Sequence, residues 1–305
     1  MHHGLARIAL LGVLAAMPLA AQGGATPAAR PTPGCSSCAE WNAPQRPFRI
    51  YGNTYFVGTH GLSAILVTSP RGHVLIDGAL PESAPLIRDH IRALGFRMED
   101  VELILNSHAH FDHAGGIAEL QRLSHAVVAA SPASAAVLER GASGTDDPQY
   151  GSLPGFAPVR GVRVIADGET VRAGSVALTA RFTPGHTPGG TTWSWRSCER
   201  QRCLELVYAD SQTPVSADGF SFTSSATYPN AVADFERGFA ALEGMRCDLL
   251  VTPHPAASGL WDRVAARERG NRDALLDGTA CKRYAATARQ QLATRLASER
   301  AKNGG

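Results

Sequence analysis

The sequence has almost no net charge and no evident internal repeat, and these absences exclude several classes of protein. Its formal net charge is +2 over 305 residues, of which 18% are charged. A chain so close to charge balance lacks the basic surface that binds nucleic acid or an anionic membrane. We therefore expect neither as a partner. The hydrophobic content of 44% instead indicates a globular protein, with one domain of ~250 residues or two smaller ones.

The apolar run at the start of the chain, Ile8–Ala21, is too short and too early to span a membrane. Arg7 precedes the run and small residues close it, which is typical of a secretory signal peptide. A retained amphipathic anchor is the alternative. We expect residues 1–21 to be a signal peptide cleaved near Ala21, residues 22–40 a flexible leader, and residues 41–305 a single folded domain. The exported protein would then be periplasmic, and we expect a monomer.

Export gives the cysteines a structural rather than a reactive role, because disulfides form and persist in oxidising compartments. Cys198 and Cys203 flank a short polar turn, so a hairpin disulfide is the natural prediction. Cys247 and Cys281 bracket the chain around and after the last predicted strand, and a bridge between them would tie the C-terminal helix to the body.

The segment Val101–Gly116, with the sequence VELILNSHAHFDHAGG, carries the strongest chemical signal. Its apolar start predicts a buried strand, and three imidazoles and a carboxylate follow within six residues, a ligand set suited to zinc. Residues two apart in an extended segment point the same way, so His108 and His110 can hold one ion. Asp112 and His113 lie beyond, where the chain must turn. A polar loop with surface histidines is the alternative.

Apolar patterning along the rest of the chain predicts short strands followed by helices, twice over, as in a sandwich flanked by helices. The predicted strands are Pro47–Val57, Leu62–Thr68, His73–Asp77, Val101–Leu105 and Ala126–Ala130, then Val162–Ile165, Val176–Phe182, Thr191–Trp195 and Cys203–Tyr208 as strands of a second sheet, and finally Asp248–Thr252. The predicted helices are Pro81–Leu94, Ile117–Leu123, Ala133–Arg140, Ala231–Leu242, Gly259–Ala266 and Cys281–Ala301. Residues 141–161 lack periodicity and form a long loop, which is often functional.

The motif HAHFDH resembles the HxHxDH signature of the metallo-β-lactamase superfamily of di-metal hydrolases. The resemblance implies an α/β protein with a four-layer αββα sandwich and metals at one edge of two packed sheets. Two ions need further ligands, and the chain supplies two isolated histidines directly after predicted strands. His186 lies in PGHTPGG and His254 in TPHP. Placement of these strand ends at one edge would bring both histidines to the motif.

PGHTPGG, VYADS and TPHP, together with HAHFDH, resemble the subclass B3 metallo-β-lactamases over essentially the whole mature chain. The resemblance implies two zinc ions, the first bound by His108, His110 and His186 and the second by Asp112, His113 and His254. It also implies that Ser211 and Thr213 hold the substrate carboxylate, that Gln149 lines the mouth of the site, and that Cys198–Cys203 and Cys247–Cys281 are disulfides. In some close relatives an N-terminal cysteine pairs with one at the position of His60. Cys35 and Cys38 must therefore either pair with each other or remain free.

The function implied is hydrolysis of the β-lactam ring of penicillins, cephalosporins and carbapenems by a zinc-bound hydroxide, giving antibiotic resistance. Two zinc ions sharing a water lower its pKa from about 15.7 to about 7, and Asp112 would orient the nucleophile. No SxxK pair supports a serine nucleophile. The alternative is a glyoxalase II-like thioesterase or a lactonase of the same fold, in which Asp210 would bridge the metals. A non-catalytic zinc-binding protein is less consistent with the full ligand set.

The remaining histidines and tryptophans carry no partner signal. We expect surface or supporting roles for His60, His73, His90 and His125, and core positions for Trp193, Trp195 and Trp261. Asp77, at the end of HVLID, is expected to be a buried carboxylate that orients groups behind the metals.

Overall fold

Two β-sheets face each other and helices cover both outer faces, so the computed structural model has the four layers that the motif implied. The structure describes residues 1–2 and 35–303. The expected signal peptide beyond residue 2, its cleavage point and residues 22–34 of the expected leader lie outside the described residues. Residues 35–303 belong to one compact unit, and no helix within this part of the chain is long and apolar enough to cross a membrane.

The first sheet has seven strands in sequential order. Its first four strands form an antiparallel meander, and its fourth to seventh strands pair in parallel. The strands are β1 (Phe48–Tyr51), β2 (Thr54–Phe56), β3 (Ile65–Val67), β4 (His73–Ile76), β5 (Val101–Leu105), β6 (Val127–Ala130) and β7 (Arg163–Val164).

The second sheet has five strands in the described part of the chain. Neighbouring strands pair antiparallel except for the last two in chain order, which pair in parallel. The strands are β8 (Thr170–Ala173), β9 (Val176–Phe182), β10 (Thr191–Glu199), β11 (Arg202–Tyr208) and β12 (Leu249–Val251). The prediction that Val162–Ile165 belongs to this sheet is wrong. That strand is β7, which pairs with β6 in the first sheet. The edge strand of the second sheet is instead β8, which the sequence analysis did not identify.

Eight α-helices and three 3₁₀ turns are described, and most begin and end within a few residues of the predicted bounds. The helices are α1 (Cys38–Trp41), α2 (Ala84–Ala93), α3 (Phe111–Ala114), α4 (Ile117–Ser124), α5 (Pro132–Arg140), α6 (Ala231–Gly244), α7 (Leu260–Glu268) and α8 (Ala280–Asn303). The 3₁₀ turns are Pro81–Ser83, Met98–Asp100 and Pro255–Ser258. The first turn of the predicted helix Pro81–Leu94 is therefore 3₁₀, and the α-helix starts three residues later.

The four layers enclose three separate hydrophobic cores. Successive side chains of a strand point to opposite faces of its sheet, so each strand contributes to two of these cores. In β5, Ile104 faces the helices α2, α4 and α5, whereas Leu103 and Leu105 face the second sheet. In β11, Leu206 points between the sheets, and Val207 points to the layer of α6 and α8. The strands β3, β4 and β12 are buried at every residue, and they are nearly continuous apolar runs because both of their faces are covered.

All six cysteines form disulfides. The predicted pairs Cys198–Cys203 and Cys247–Cys281 are both present. The first joins paired residues of the hairpin β10–β11, and the second connects the segment before β12 to the first turn of α8. The question left open by the sequence is answered by Cys35–Cys38, a bridge at the start of α1. Cys38 is buried in the core beneath the first helical layer.

Candidate metal centre

The candidate ligands all follow strands that end at the same edge of the sandwich. β5 ends at Leu105 just before the HAHFDH segment, and β9 ends at Phe182 just before the loop of His186. β9 and β11 are both antiparallel to β10, so they run in the same direction, and β12 runs parallel to β11. Their carboxyl ends therefore converge, and this convergence brings His186 and His254 to the motif.

Three histidines form the first group of donors. One ligand atom each of His108, His110 and His186 lies within 4.8 Å of the others. The ring centroids are 4.8 Å apart for His108–His110, 4.9 Å for His108–His186 and 5.0 Å for His110–His186. All three side chains are buried. They are the three side chains predicted for the first ion.

The second group consists of Asp112, His113 and His254, whose donor atoms also lie within 4.8 Å of one another. Oδ2 of Asp112 is 3.3 Å from Nε2 of His113 and 3.2 Å from Nε2 of His254. Asp112 and His113 lie on the short helix α3, and His254 comes from the turn after β12. The ring centroids of His108 and His113 are 4.5 Å apart, so the two donor groups contact each other through these rings.

The helix that carries Asp112 and His113 can lie this close to β4 because two glycine backbones meet there. A Cβ on Gly116 would be 2.3 Å from the carbonyl oxygen of Gly78, which only a residue without a side chain avoids. The amide of Gly78 also donates to the carbonyl of His113, over 2.8 Å. The Gly-Gly pair that ends the motif therefore allows the helix with its two candidate ligands to lie close to the end of β4.

Each histidine of the first group has one ring nitrogen committed to an acceptor. Nδ1 of His108 donates to Oδ1 of Asp210 over 2.7 Å, and Nδ1 of His186 donates to the carbonyl of Thr213 over 2.8 Å. For His110 it is Nε2 that donates, to Asp147 over 2.8 Å. These bonds select the tautomer of each ring. They leave Nε2 of His108, Nε2 of His186 and Nδ1 of His110 for a metal.

The protonation states of these groups suit a cation. Burial, followed by the neighbouring His110, lowers the pKa of His108 well below its usual value. Burial also lowers the pKa of His113 and of His186. For Asp112, burial acts to raise the pKa, but His113 and His254 hold it well below the usual range. Neutral imidazoles and an ionised carboxylate are the metal-binding forms.

One buried nitrogen without a hydrogen-bond partner indicates whether the candidate ligands fit a metal. Nε2 of His108 is buried and has no hydrogen-bond partner among the described residues. A buried polar atom without a partner is costly, and this one faces two further imidazoles. A metal with nitrogen ligands supplies the missing partner, so the donor set fits a metal of the zinc type.

The sequence analysis missed the role of Asp147. It lies in the long loop 141–161, and His110 together with the backbone of Gln149 overcomes the effect of burial and lowers the pKa of Asp147 to about 2. No periodicity or motif marks this residue. The only available signal was an acidic pair in a loop that was expected to be functional.

Asp77 does not contact the metal donors. Its carboxylate is buried and accepts from Asn106 Nδ2, from the amide and the hydroxyl of Ser107, and from the hydroxyl of Tyr208. It therefore fixes the Asn106-Ser107 turn that leads into the motif. Burial raises the pKa of Asp77 to about 7. This arrangement agrees with the expected orienting role, one step further from the metals.

The residues expected to bind substrate lie around the two groups. Ser211 is buried, and Gln149 and Thr213 are half-buried. The carbonyl of Thr213 holds His186, and its hydroxyl oxygen is 3.4 Å from the same Nδ1. Thr213 therefore contacts a candidate ligand through its backbone carbonyl and its hydroxyl.

The histidines for which no metal role was expected, His60, His73, His90 and His125, belong to neither donor group. His60 is exposed and stacks on Trp261, His90 bonds to the carbonyl of Val57, His73 packs against Phe96, and His125 is exposed at the end of α4. Trp193 and Trp195 are buried between the sheets, as expected, and Trp261 is partly buried. Trp41, which the sequence analysis did not single out, lies against His254 with ring centroids 5.3 Å apart.

Comparison with known proteins agrees with this geometry. A family model for the metallo-beta-lactamase superfamily matches residues 57–199. The solved structure of the Rm3 metallo-beta-lactamase has 57% sequence identity and a TM-score of 0.86, covering 88% of this chain and all of that one. MEM-A1, a subclass B3 metallo-beta-lactamase isolated from a soil metagenome library, has 51% identity and a TM-score of 0.84, covering 86% and 99%.

Curated relatives match over a shorter region. The N-acyl homoserine lactonase AttM of Agrobacterium fabrum is 30% identical over 146 residues, which cover 41% of this chain and 55% of the lactonase. The chain spans between 35% and 55% of the length of the curated relatives that it matches first.

Proposed function

The chain belongs to the subclass B3 metallo-β-lactamases, and we propose that it hydrolyses the β-lactam ring of penicillins, cephalosporins and carbapenems with two bound zinc ions. The observation that carries the proposal is the pair of three-residue donor groups at one sheet edge, joined by the contact of His108 with His113. Three protein ligands per ion leave positions for water and substrate.

The residues of the chain divide the work. His108, His110 and His186 hold one ion, and Asp112, His113 and His254 hold the other. When bound, zinc supplies Lewis acidity and makes hydroxide available from water near neutral pH. Asp112 directs Oδ2 to its two histidines, and its second oxygen accepts a hydrogen bond from the attacking water and so orients it. The hydroxyls of Ser211 and Thr213 donate to the carboxylate of the antibiotic, and Gln149 contacts the substituent at the mouth.

The placement of Asp210 favours a lactamase over a lactonase or thioesterase with a bridging aspartate. Its Oδ1 accepts from the ring nitrogen of His108 on the side away from the donor groups, and Asp210 belongs to neither group. The carboxylate therefore orients a ligand instead of bridging two metals. The partial match to the lactonase AttM makes a lactone the appropriate competing substrate.

The test is a hydrolysis panel on the purified mature protein, with nitrocefin, one member of each β-lactam class, an N-acyl homoserine lactone and a thioester. We expect β-lactam turnover that is lost on dialysis against EDTA and restored by zinc, and close to two zinc equivalents by metal analysis. Turnover of the lactone or thioester with no β-lactam hydrolysis would assign the alternative function. Full activity after exhaustive chelation would reject a metal-dependent mechanism.

The role of Asp112 has its own test. Asp112→Asn keeps an oxygen for the metal but weakens the acceptor, so kcat should fall by orders of magnitude in samples whose zinc content has been restored. Asp100→Asn, at an exposed acid before β5, is the matched control. An Asp112→Asn enzyme with two zinc equivalents and a normal kcat would show that the carboxylate only holds metal.

We also propose that the mature enzyme is periplasmic. Three disulfides in the described part of the chain are more consistent with an oxidising compartment than with the cytosol. Osmotic-shock fractionation with N-terminal sequencing of the released protein tests both the compartment and the expected cleavage near Ala21. Recovery of an uncleaved protein in the spheroplast fraction would contradict the proposal.

A further inference from the structure

The two carboxylate oxygens of Asp147 face two different parts of the molecule. Oδ2 accepts from Nε2 of His110, and Oδ1 accepts from the backbone amide of Gln149, each over 2.8 Å. Asp147 is only 5% exposed, so both bonds lie in a low-dielectric environment where charge-assisted hydrogen bonds are strong. One side chain thus connects a donor of the first metal group to the loop at the mouth of the site.

The loop segment 146–152, here called the mouth loop, has few other supports. Within this loop the amide of Tyr150 donates to the carbonyl of Asp147 and that of Ser152 to the carbonyl of Gln149, and the amide of Asp147 donates to the carbonyl of Gly144 just before it. Besides the bond between Asp147 and His110, a backbone bond joins the loop to a distant segment, from the amide of Ala217 to the carbonyl of Pro148 over 2.8 Å. Ala217 follows the segment that carries Thr213, and the two segments expected to contact substrate are therefore joined.

We propose that Asp147 is a positioning residue that couples occupation of the first metal group to the order of the mouth loop. The proposal rests on the proposed metal-dependent function, since it takes His110 to be a metal ligand. A metal on Nδ1 of His110 makes Nε2 an obligatory N–H donor. The bond to Asp147 is then always available, whereas in a metal-free ring only the bond to Asp147 itself keeps the proton on Nε2. Metal binding consequently holds Asp147, and Asp147 holds the amide of Gln149.

Coupling of this kind is reciprocal, because a free energy shared by two sites acts on both. If metal binding orders the mouth loop, then a change that disorders the loop must weaken metal binding. The neighbouring Asp146 provides a control within the same segment, because it is an exposed carboxylate one residue away that bonds to neither His110 nor Gln149. If charge alone mattered, substitution of Asp146 and substitution of Asp147 would both change the site. If positioning matters, only substitution of Asp147 would do so.

The experiment compares wild type, Asp147→Asn, Asp147→Ala and Asp146→Asn by zinc competition against a chromophoric chelator and by amide hydrogen exchange with and without zinc. Asparagine has one oxygen acceptor, so it can hold His110 or Gln149 but not both. We expect Asp147→Ala to weaken zinc binding at the first donor group by roughly 10- to 100-fold, Asp147→Asn by less, and Asp146→Asn not measurably. Zinc should protect the Gln149 amide in wild type and in Asp146→Asn, but not in either Asp147 variant.

Two results would overturn the proposal. One is wild-type zinc affinity in Asp147→Asn and Asp147→Ala proteins that retain native circular dichroism. The other concerns wild type alone, and so does not depend on any variant folding: an exchange rate at Gln149 that zinc does not change. Neither readout uses a substrate. A wild type that binds zinc normally but hydrolyses no β-lactam would reject the proposed function and leave this coupling intact.

Discussion

The indole of Trp41 lies against the imidazole of His254, with ring centroids 5.3 Å apart and planes tilted by 54°. His254 is the most exposed of the six candidate ligands, at 33% of its side chain, and Trp41 covers part of its ring. The carbonyl of Trp41 accepts from the hydroxyl of Thr59 and the amide of Gly61. These bonds and the adjacent Cys35–Cys38 bridge hold the indole in place.

Removal of the Trp41 indole should selectively weaken metal binding at the second donor group. An aromatic pair of this kind contributes about 0.5–1.5 kcal/mol, so Trp41→Ala should lower the zinc affinity of the second donor group by roughly two- to tenfold. Trp41→Phe should recover most of it. Stepwise cobalt titration followed by absorption spectroscopy separates the two sites. Trp261→Ala removes a partly buried tryptophan that packs on His60 and Phe56 instead, and equal losses in both alanine variants would show a general effect on folding.

Ser211 and Thr213 should recognise the substrate carboxylate without holding metal. The acceptor for His186 is the backbone carbonyl of Thr213, which a side-chain substitution leaves in place. A charge-assisted hydrogen bond contributes about 1.5–3 kcal/mol. The double variant Ser211→Ala, Thr213→Ala should therefore raise KM at least about tenfold at unchanged zinc content.

Asp210→Asn is the contrasting variant. Asparagine can still accept from Nδ1 of His108, so we expect two zinc equivalents and a modest loss of affinity. Loss of one zinc equivalent in Asp210→Asn, with normal β-lactam binding by the double alanine variant, would support a bridging aspartate and the lactonase-like alternative. Steady-state kinetics and metal analysis of both variants together decide the matter.

The sequence predicted the parts of this site that depend on local pattern. HAHFDH follows a buried strand, and His186 and His254 each lie in a rigid loop after a strand, so six side chains could be named from spacing and resemblance. The side chains that orient them could not be named in this way. Asp147 reaches His110 across 37 positions of sequence, and Asp210 reaches His108 across 102. Such contacts are set by how the loops and sheets pack.

The two errors in the strand assignment have the same origin. Val162–Ile165 has the apolar character of a strand, but nothing in its residues specifies β6 as its partner. Thr170–Ala173 is a short edge strand with alternating burial, a pattern that four residues cannot distinguish from a loop. Pairing partners depend on long-range topology, and a local apolar pattern reports only that a segment is extended and partly buried.

The Cys247–Cys281 disulfide should contribute more to stability than Cys198–Cys203. The two bridges close loops with sequence separations of 34 and 5 residues. Loop-closure entropy gives roughly 4 kcal/mol for the first and roughly 2 kcal/mol for the second. Urea unfolding of the two double Cys→Ser variants, with metal removed, should therefore show a larger drop in the free energy of unfolding for the 247/281 variant. Equal losses would mean that native-state packing, and not loop length, sets the effect.

Asp77 should make the stability of the metal-free protein depend on pH. Burial raises its pKa to about 7 from the usual value of 3.8, so folding favours the protonated acid. The stabilising contribution is complete below about pH 4 and is lost as the pH rises through about 7. A shift of this size corresponds to at most about 4 kcal/mol.

Asp77→Asn is a close structural match for this test. Its oxygen can accept from Asn106 Nδ2 and the amide of Ser107, whose donors are fixed, while its NH₂ donates to the hydroxyls of Ser107 and Tyr208, which can rotate. Asparagine also tolerates the positive φ of 60° at this position. Between pH 4 and pH 8, urea unfolding of metal-free wild type should lose free energy relative to Asp77→Asn. A difference between the two proteins that stays constant over this range would show that Asp77 is ionised in the folded protein at every pH tested, because its four hydrogen-bond donors then outweigh the cost of burying the charge.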